Sequence, residues 1–390
     1  MTSGPTDAEA LAAPATGGEG VPAGALPMLD GLRAVAALAV LLTHVAFQTG
    51  EVVRGAGGAV LARFDAGVAV FFVLSGFLLT RPYAAGRPPA VRAYAIRRAL
   101  RILPAYWVAL AAVALSGPVS WAHVWLGQTY AGPLAPAFTQ TWSLCTEVAF
   151  YAVLPLLARW RRAVPVSIAV TYAYVGVVHG FGLPDRALLW LPGHLDWFAV
   201  GMLLAAPRLP GFLRRAAAWP GTCWAAAGVL LWLLSTPVAG PLTLAPIPGG
   251  AALVKEAGYA VVGGLLLLPA AYGPVASGLG AVLASEPARW LGRISYGVFL
   301  WHLLVLSWVY SLTGWQAFGG RMLPVAVLTV LGSVGVAALS WVVVERPALR
   351  LADRLARRSA RGVDGRVDGR VVRPAGGPAG GGEAQGADRQ

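Results

Sequence analysis

An apolar segment near the N-terminus, residues 29–47, carries three ionisable side chains, Asp30, Arg33 and His44. A charge in the hydrocarbon core of a bilayer costs at least about 2.5–3.5 kcal/mol, so ionisable residues in such a segment are candidates for a functional site. Arg33 and His44 are eleven positions apart, close to three helical turns, and Asp30 precedes Arg33 by three positions. We therefore expect the three side chains on one helix face, with His44 roughly 16 Å deeper than Arg33.

A second apolar segment, QTWSLCTEVAFYAVLPLL at residues 140–157, contains an acid that can work with this histidine. Counted from the opposite membrane surface, Glu147 lies roughly 10 Å inside, at a depth comparable to that of His44. Ser143 and Tyr151 flank it at i−4 and i+4 and extend a polar stripe. A carboxylate and an imidazole at one depth can pair, which would keep the acid ionised and make the imidazole more basic. A polar clamp that fixes helix packing is the structural alternative for each group.

Two further polar pairs lie in apolar segments. His194 and Asp196 are two positions apart, so a continuous helix would place them on different faces. Ser295 and His302 are seven positions apart and share a face. A hydrogen bond between helices is the structural alternative for His302. We count Asp196, Ser295 and His302 among the candidates for substrate binding, together with Asp30, Ser143 and Tyr151.

A cluster of arginines opens the segment YAIRRALRILPAYW at residues 94–107. Arg97, Arg98 and Arg101 fall within five positions, and arginine is suited to bidentate contacts with phosphate. The cluster therefore predicts a site for a phosphorylated cofactor. Anchoring of a membrane helix on its cytoplasmic side is the alternative.

The elements that position these residues are predicted to be membrane helices. Of the 390 residues, 57% are hydrophobic and 12% are charged, a composition that excludes a soluble protein of this length. The sequence predicts an all-α, polytopic integral membrane protein with about ten spans. The predicted spans cover residues 31–49, 64–80, 102–117, 141–158, 164–180, 188–206, 219–236, 253–272, 294–313 and 323–343.

Basic residues alternate along these predicted spans and orient them. Arginines cluster in the loops after the second, fourth and sixth spans and in the C-terminal tail, whereas the intervening loops hold few. Short loops rich in arginine stay cytoplasmic, so we expect both termini in the cytoplasm and the chain in the plasma membrane. This topology accounts for the net charge of +13, and no nucleic-acid partner is needed to explain it.

The two ends of the chain are polar or low in complexity. Residues 1–28 and 351–390 are predicted to be disordered cytoplasmic tails around a membrane domain at residues 29–350. The two cysteines, Cys145 and Cys223, fall in predicted spans and indicate neither a disulfide framework nor a metal site.

Seven segments in order resemble the acyltransferase-3 family of membrane O-acyltransferases, which includes O-antigen and Nod-factor acetylases and macrolide acyltransferases. Together they run from residue 29 to residue 347. They read LDGLRAVAALAVLLTH, GVAVFFVLSGFLLTR, RRALRILPAYW, TWSLCTEVAFYAVLP, LDWFAVGMLLA, LGRISYGVFLWH and VVERP.

The resemblance implies a ten-helix domain that moves an acyl group, usually acetyl, from acyl-coenzyme A to a hydroxyl. Acyl-coenzyme A would then be a co-substrate, with no permanently bound cofactor. The acceptor would be a carbohydrate, a glycolipid or a secreted small molecule such as a macrolide. The family motifs fall on Arg33 and His44, on Arg97, Arg98 and Arg101, and on Trp142, Ser143 and Glu147, and Trp142 thereby joins the candidates for substrate binding.

With this resemblance, His44 is expected to be the general base for the acceptor hydroxyl, oriented by Glu147. Arg33 would align the donor or stabilise developing negative charge, and the arginine cluster would hold the phosphates of coenzyme A. A variant in which His44 is itself acylated fits the same residues. The alternative function is a transporter or flippase that uses the buried arginine, histidine and glutamate as a proton relay.

Overall fold

The computed structural model describes residues 26–243, 245–275 and 278–367. Within these residues the chain is helical and contains no β-strand, which confirms the predicted all-α class. The helices are α1 (Pro27–Thr49), α2 (Gly55–Ala62), α3 (Ala66–Ala84), α4 (Val91–Ser116), α5 (Trp142–Leu157), α6 (Ala163–Gly180), α7 (Leu195–Leu204), α8 (Gly211–Ala217), α9 (Pro220–Leu234), α10 (Gly249–Tyr272), α11 (Gly278–Ala284), α12 (Glu286–Thr313), α13 (Met322–Ser340) and α14 (Arg346–Val367).

Seven helical stretches of the described chain are long and apolar enough to cross a membrane, or eight if the bent pair α8 and α9 forms one span. The chain is therefore a membrane protein with several apolar helices. Three of the ten predicted spans fall on helices shorter than 18 residues: α5 has 16, α7 has 10 and α9 has 15. The count of ten and the cytoplasmic location of the termini stay predictions.

The bundle has an inner and an outer set of helices. In α12, 72% of the most apolar window is buried within the protein, whereas the corresponding share in α6 is 28%. Helix α12 packs along α1, which in turn packs against α3. Large apolar side chains on other helices, such as Leu115 and Leu331, point outward, as expected for a surface in lipid. The candidate site residues lie mainly on the inner helices and on α4 and α5.

Small residues allow the inner helices to approach closely. A Cβ atom at Gly201 on α7 would clash with the carbonyl oxygen of Val73 on α3, and one at Gly76 would clash with that of Phe198. Gly292 on α12 lies equally close to the backbone of Asp30 on α1. Such contacts are typical of membrane helices, whose association depends on close packing. They fix α1, α3, α7 and α12 relative to one another around the site.

The ends of the described chain differ from the predicted domain boundaries. Helix α1 begins at Pro27, inside the predicted N-terminal tail. The predicted C-terminal tail begins at residue 351, but α14 continues as a helix to Val367. It packs on α4, burying Ala352 and Ala356, and Asp353 pairs with Arg97. Residues 1–25 and 368–390 of the predicted tails lie outside the described residues.

Candidate active site

A cavity that is partly open to solvent lies between α1, α3, α4, α5 and α12. Seven of the predicted site residues line it, although they come from four helices. Apolar side chains, among them Phe71, Phe72 and Phe299, line the rest of its wall. The seven are Arg33, Arg98, Arg101, Ser143, Glu147, Tyr151 and Ser295.

Glu147 is the acid at the centre of this polar lining. Its Oε1 atom accepts hydrogen bonds from the Tyr151 hydroxyl, at 2.7 Å, and from the Ser75 hydroxyl on α3. Tyr151 is the residue expected one turn away, and its ring lies 5.7 Å from the Arg98 guanidinium. The hydroxyl of Ser143 instead donates to the carbonyl of Gln140, at 3.2 Å. The carboxylate is therefore held by hydroxyl donors on two helices and faces the cavity.

Sequence reasoning missed Ser75. The residue lies in the apolar run FFVLSGFLLTR, and its hydroxyl was the only polar group in the first part of that run. A lone serine in a membrane helix commonly hydrogen-bonds its own backbone, so its type gave little signal. Its role depends on α3 lying against α5, which the sequence pattern does not specify.

Three arginines give the cavity its positive charge. Arg33 comes from α1 and pairs with Asp30, with 3.3 Å between Nη1 and Oδ1, while Arg98 and Arg101 come from α4. Asp30 therefore contacts the cavity only through Arg33, because it is absent from the lining itself. A carboxylate needed for substrate contact would have to leave this ion pair.

Arg97 does not join the other two arginines of the cluster. Its Nε lies 3.6 Å from Asp353 on α14, and the residue is absent from the cavity lining. Successive residues of a helix are separated by about 100°, so Arg97 and Arg98 point in different directions. The prediction that Arg97 binds the cofactor with Arg98 and Arg101 is therefore not supported by its position.

His44 has a defined tautomer. Its Nδ1 lies 2.7 Å from the carbonyl oxygen of Val40, so this nitrogen carries the proton. The same atom lies 3.3 Å from Nε2 of His302, whose own Nδ1 lies 2.7 Å from the carbonyl oxygen of Phe299. Both rings are therefore protonated on Nδ1, which leaves Nε2 of His44 with an available lone pair. Among the described residues none hydrogen-bonds this nitrogen, so it can act as a base.

The predicted pairing of His44 with Glu147 is wrong. The polar contacts of His44 are Val40 and His302, whereas those of Glu147 are Ser75 and Tyr151. Helix α3 packs against both α1 and α5 and carries Phe71 and Phe72. Equal depth in a bundle does not specify position around its axis, so two residues at one depth can face different neighbours.

The remaining candidates lie outside the cavity lining. His302 is fully buried behind His44, so it contacts that histidine in place of a substrate. Phe299, which does line the cavity, packs against His302, with 6.1 Å between ring centres. The ring of Trp142 packs against His194, with 5.2 Å between ring centres. Asp196 is buried in the same region, where its Oδ1 accepts from the Trp197 backbone N–H at 2.9 Å.

Comparison with known proteins points in the same direction as this geometry. Residues 26–345 match the model of the acyltransferase-3 family, described as an acyltransferase domain. Nodulation protein 10 of Rhizobium leguminosarum bv. viciae is 28% identical over 83% of this chain and 93% of its own length. Acyltransferase MdmB of Streptomyces mycarofaciens is 28% identical over 84% and 92%. Peptidoglycan O-acetyltransferase OatA of Listeria monocytogenes is 24% identical over 72% of this chain and 49% of its own length. No solved structure matches the chain.

Proposed function

The chain belongs to the acyltransferase-3 family, whose model matches residues 26–345, and from this premise we propose that it transfers an acyl group from acyl-coenzyme A to a hydroxyl. In the simplest case the acyl group is acetyl. The acceptor belongs to the class of carbohydrates, glycolipids or secreted small molecules such as macrolides. The observation that carries the proposal is the cavity, which brings Arg33, Arg98 and Arg101 together with Glu147.

The arginines suit an anionic, phosphorylated donor. Arg98 and Arg101 lie on the same side of α4, and arginine binds phosphate through paired N–H donors. The apolar wall beyond them, formed in part by Leu78 and Leu79, suits the less polar arm that carries the acyl group. Arg33 is positioned from α1 and would stabilise negative charge that develops on the thioester carbonyl oxygen.

His44 would supply the base. Its Nε2 takes the proton of the acceptor hydroxyl as the hydroxyl oxygen forms a bond to the thioester carbon and the C–S bond breaks. The same nitrogen then returns the proton to the leaving thiolate, so the histidine ends the cycle neutral. While it is charged, its Nδ1–H donates to Val40 and His302, and both contacts favour the cation. Acylation of His44 itself, followed by attack of the hydroxyl on the acyl-imidazole, uses the same atoms.

His44 does not line the cavity, so the proposal includes a movement that brings donor and acceptor to Nε2 of His44. Phe299 is one side chain that could take part, because it lines the cavity and its ring centre lies 6.1 Å from that of His302, the partner of His44. We place the reaction in the plasma membrane, within ten spans and with both termini in the cytoplasm, so that the arginines face the cytoplasmic pool of donor.

The test uses membranes that contain the wild-type chain or a His44→Gln variant inserted to the same level. The membranes receive radiolabelled acetyl-coenzyme A and an extract of the producing cells, and label is followed into products and protein. Transfer by the wild type and its loss in the variant would support the proposal, and the labelled product would identify the acceptor. Full transfer by the variant would overturn the role of His44. Dependence of substrate movement on an ion gradient, with no labelled product, would favour a transporter instead.

A further inference from the structure

A second cluster of buried ionisable residues lies outside the cavity, where the chain enters α7 and α10 passes by. His194 ends the short 3₁₀ turn Leu191–His194, and Glu256 lies on α10. Nδ1 of His194 is 2.9 Å from Oε1 of Glu256, and the two side chains are 9% and 11% exposed. The pair is thus a histidine and a carboxylic acid in direct contact in the interior of a membrane protein, a place where ionisable groups are costly.

The other ring nitrogen of His194 is enclosed but unpaired. Nε2 is buried and has no hydrogen-bond partner among the described residues. Three aromatic rings surround the imidazole, with centres 4.4 Å away in Trp197, 5.2 Å away in Trp142 and 6.1 Å away in Phe72. A buried polar atom without a partner is destabilising, so packing alone does not explain a histidine here. Aromatic faces attract cations, and this enclosure can therefore hold a protonated ring.

The balance of charges around the pair favours the binding of one more proton. Lys255, the neighbouring cation, is paired with Asp65 at 2.8 Å, and the hydroxyl of Tyr259 donates to the same carboxylate. The carboxyl groups of Asp196 and Glu256 and the imidazole of His194 then remain without a compensating cation. They lie in a region of low dielectric, where two carboxylates repel each other and an added proton reduces that repulsion. The titratable and charged groups that face the pair are Asp196 on α7, Tyr172 on α6, Lys255 and Tyr259 on α10, and Asp65 before α3.

We propose that His194 and Glu256 form a second proton-binding site of the protein, and that its protonation controls acyl transfer. The proton is added at His194, which turns a neutral ring beside a carboxylate into an imidazolium–carboxylate pair. The site itself follows from the geometry above, and only its link to transfer rests on the proposed function.

Two contacts connect the site to the reaction. Phe72 packs on His194 and lines the donor cavity, so a change of charge on the ring acts on the cavity wall. Asp65 pairs with Lys255, the residue before Glu256, and it ends the 3₁₀ turn Arg63–Asp65, which packs against α1, the helix that carries His44. A proton on the His194–Glu256 pair therefore changes the electrostatic environment of the proposed base.

The first test is the pH dependence of acetyl transfer from radiolabelled acetyl-coenzyme A in membranes. Glu256→Gln keeps the size of the side chain and a hydrogen bond to His194 but removes the titratable acid, and His194→Gln is the second variant. We expect the midpoint of the acid limb to shift by about one pH unit or more in both variants. Tyr174→Phe, which removes a hydroxyl that donates at 3.1 Å to the carbonyl of Ala187 outside the pair, is the matched control and should leave the midpoint unchanged. A lower rate with an unmoved midpoint in both acid and histidine variants would reduce the pair to packing and overturn the proposal.

The second test does not depend on activity. Infrared difference spectra of the purified, detergent-solubilised protein, recorded as a function of pH with and without isotope-labelled histidine, report protonation of histidine rings. We expect an imidazolium signal that titrates in the wild type and in Tyr174→Phe, is lost in His194→Gln and has a shifted midpoint in Glu256→Gln. Its presence without any acyl transfer would support the proton site and count against the proposed function. Absence of the signal together with normal acyl transfer would overturn the proton site and leave the proposed function standing.

Discussion

The protein contains two histidine-centred pairs, His44 with His302 and His194 with Glu256, that differ in the partner of Nδ1 and in the surroundings of Nε2. His44 donates from Nδ1 to a backbone carbonyl and to the neutral ring of His302, whereas Nδ1 of His194 contacts the carboxyl group of Glu256. His44 is partly exposed and its Nε2 has no described hydrogen-bond partner. Nε2 of His194 is shut in by aromatic rings.

The difference shows why one residue type can serve two purposes in one membrane domain. A base must meet its substrate, so it needs a fixed tautomer and an Nε2 without a hydrogen-bond partner, and His44 has both among the described residues. A proton store needs a stabilising anion and no substrate contact, and His194 meets that condition instead. Each pair contacts one aromatic side chain of the cavity wall: Phe299 packs against His302, and Phe72 packs against His194.

The strongest test of the comparison replaces each histidine in turn. His44→Gln is expected to lower the rate of acyl transfer about 10²–10⁴-fold, the usual contribution of a positioned base. His194→Gln is expected to lower the rate at the optimal pH less than about tenfold, because it touches no reacting atom in this scheme. Both rates are measured with labelled donor at equal protein level. A larger loss for His194→Gln than for His44→Gln would reverse the assignment of the two sites.

The next test concerns the donor on which either histidine would depend. A double variant, Arg98→Gln with Arg101→Gln, should raise the KM for acyl-coenzyme A at least about a hundredfold, since it removes two charge-assisted hydrogen bonds that contribute about 1.5–3 kcal/mol each. Arg97→Gln is the matched control, because Arg97 pairs with Asp353 outside the cavity. Its KM should stay within about twofold of the wild type, as expected for an exposed ion pair. An equal increase of the KM in Arg97→Gln and in the double variant would mean that the phosphates of the donor bind across α4 and α14 and not in the cavity.

The sequence was sufficient to predict the helical class, the family resemblance and most of the cavity lining. Helical spacing placed Tyr151 one turn from Glu147, and the structure joins them by a hydrogen bond. The cost of burying charge in a membrane selected Arg33 and the arginines of α4. These inferences concern one helix at a time, where periodicity alone decides which side chains share a face.

The sequence failed where two helices had to be placed relative to each other. Glu147 and His44 were matched by depth, but the rotation of α1 and α5 around the bundle gives them separate partners. Arg97 was grouped with its neighbours by position along the chain, and its partner on α14 was assigned to a disordered tail. The sequence pattern did not indicate a role for Glu256, because its partner His194 lies 62 positions away along the chain. Contacts of this kind depend on packing between helices, which a single sequence does not encode in its local pattern.

A smaller effect would sharpen the contrast between the acid of the cavity and the acid of the second pair. Tyr151→Phe removes the hydroxyl that donates to Glu147 and should lower the rate of transfer about tenfold, since a hydrogen bond to a charged group contributes about 1.5–3 kcal/mol. Tyr94→Phe is the control, because the Tyr94 hydroxyl donates only to the backbone carbonyl of Tyr151, at 3.1 Å. That variant should stay within about threefold of the wild type. Indistinguishable rates for the two variants would mean that Glu147 needs no fixed orientation.

The smallest expected effect separates the partners of the two histidines. His302→Gln retains a carbonyl oxygen that can accept from Nδ1 of His44 and should change the rate of transfer only about twofold, whereas His302→Leu removes the acceptor and should lower it about fivefold. The leucine variant should also move the acid limb of the pH profile to lower pH, because the protonated form of His44 loses a stabilising contact. The glutamine variant should leave that limb in place. If both variants lower the rate equally and neither moves the pH profile, His302 contributes packing only. His44 would then depend on the carbonyl of Val40 alone for its tautomer, whereas His194 would keep Glu256 as a hydrogen-bond partner. The two pairs would therefore differ in function more than their geometry indicates.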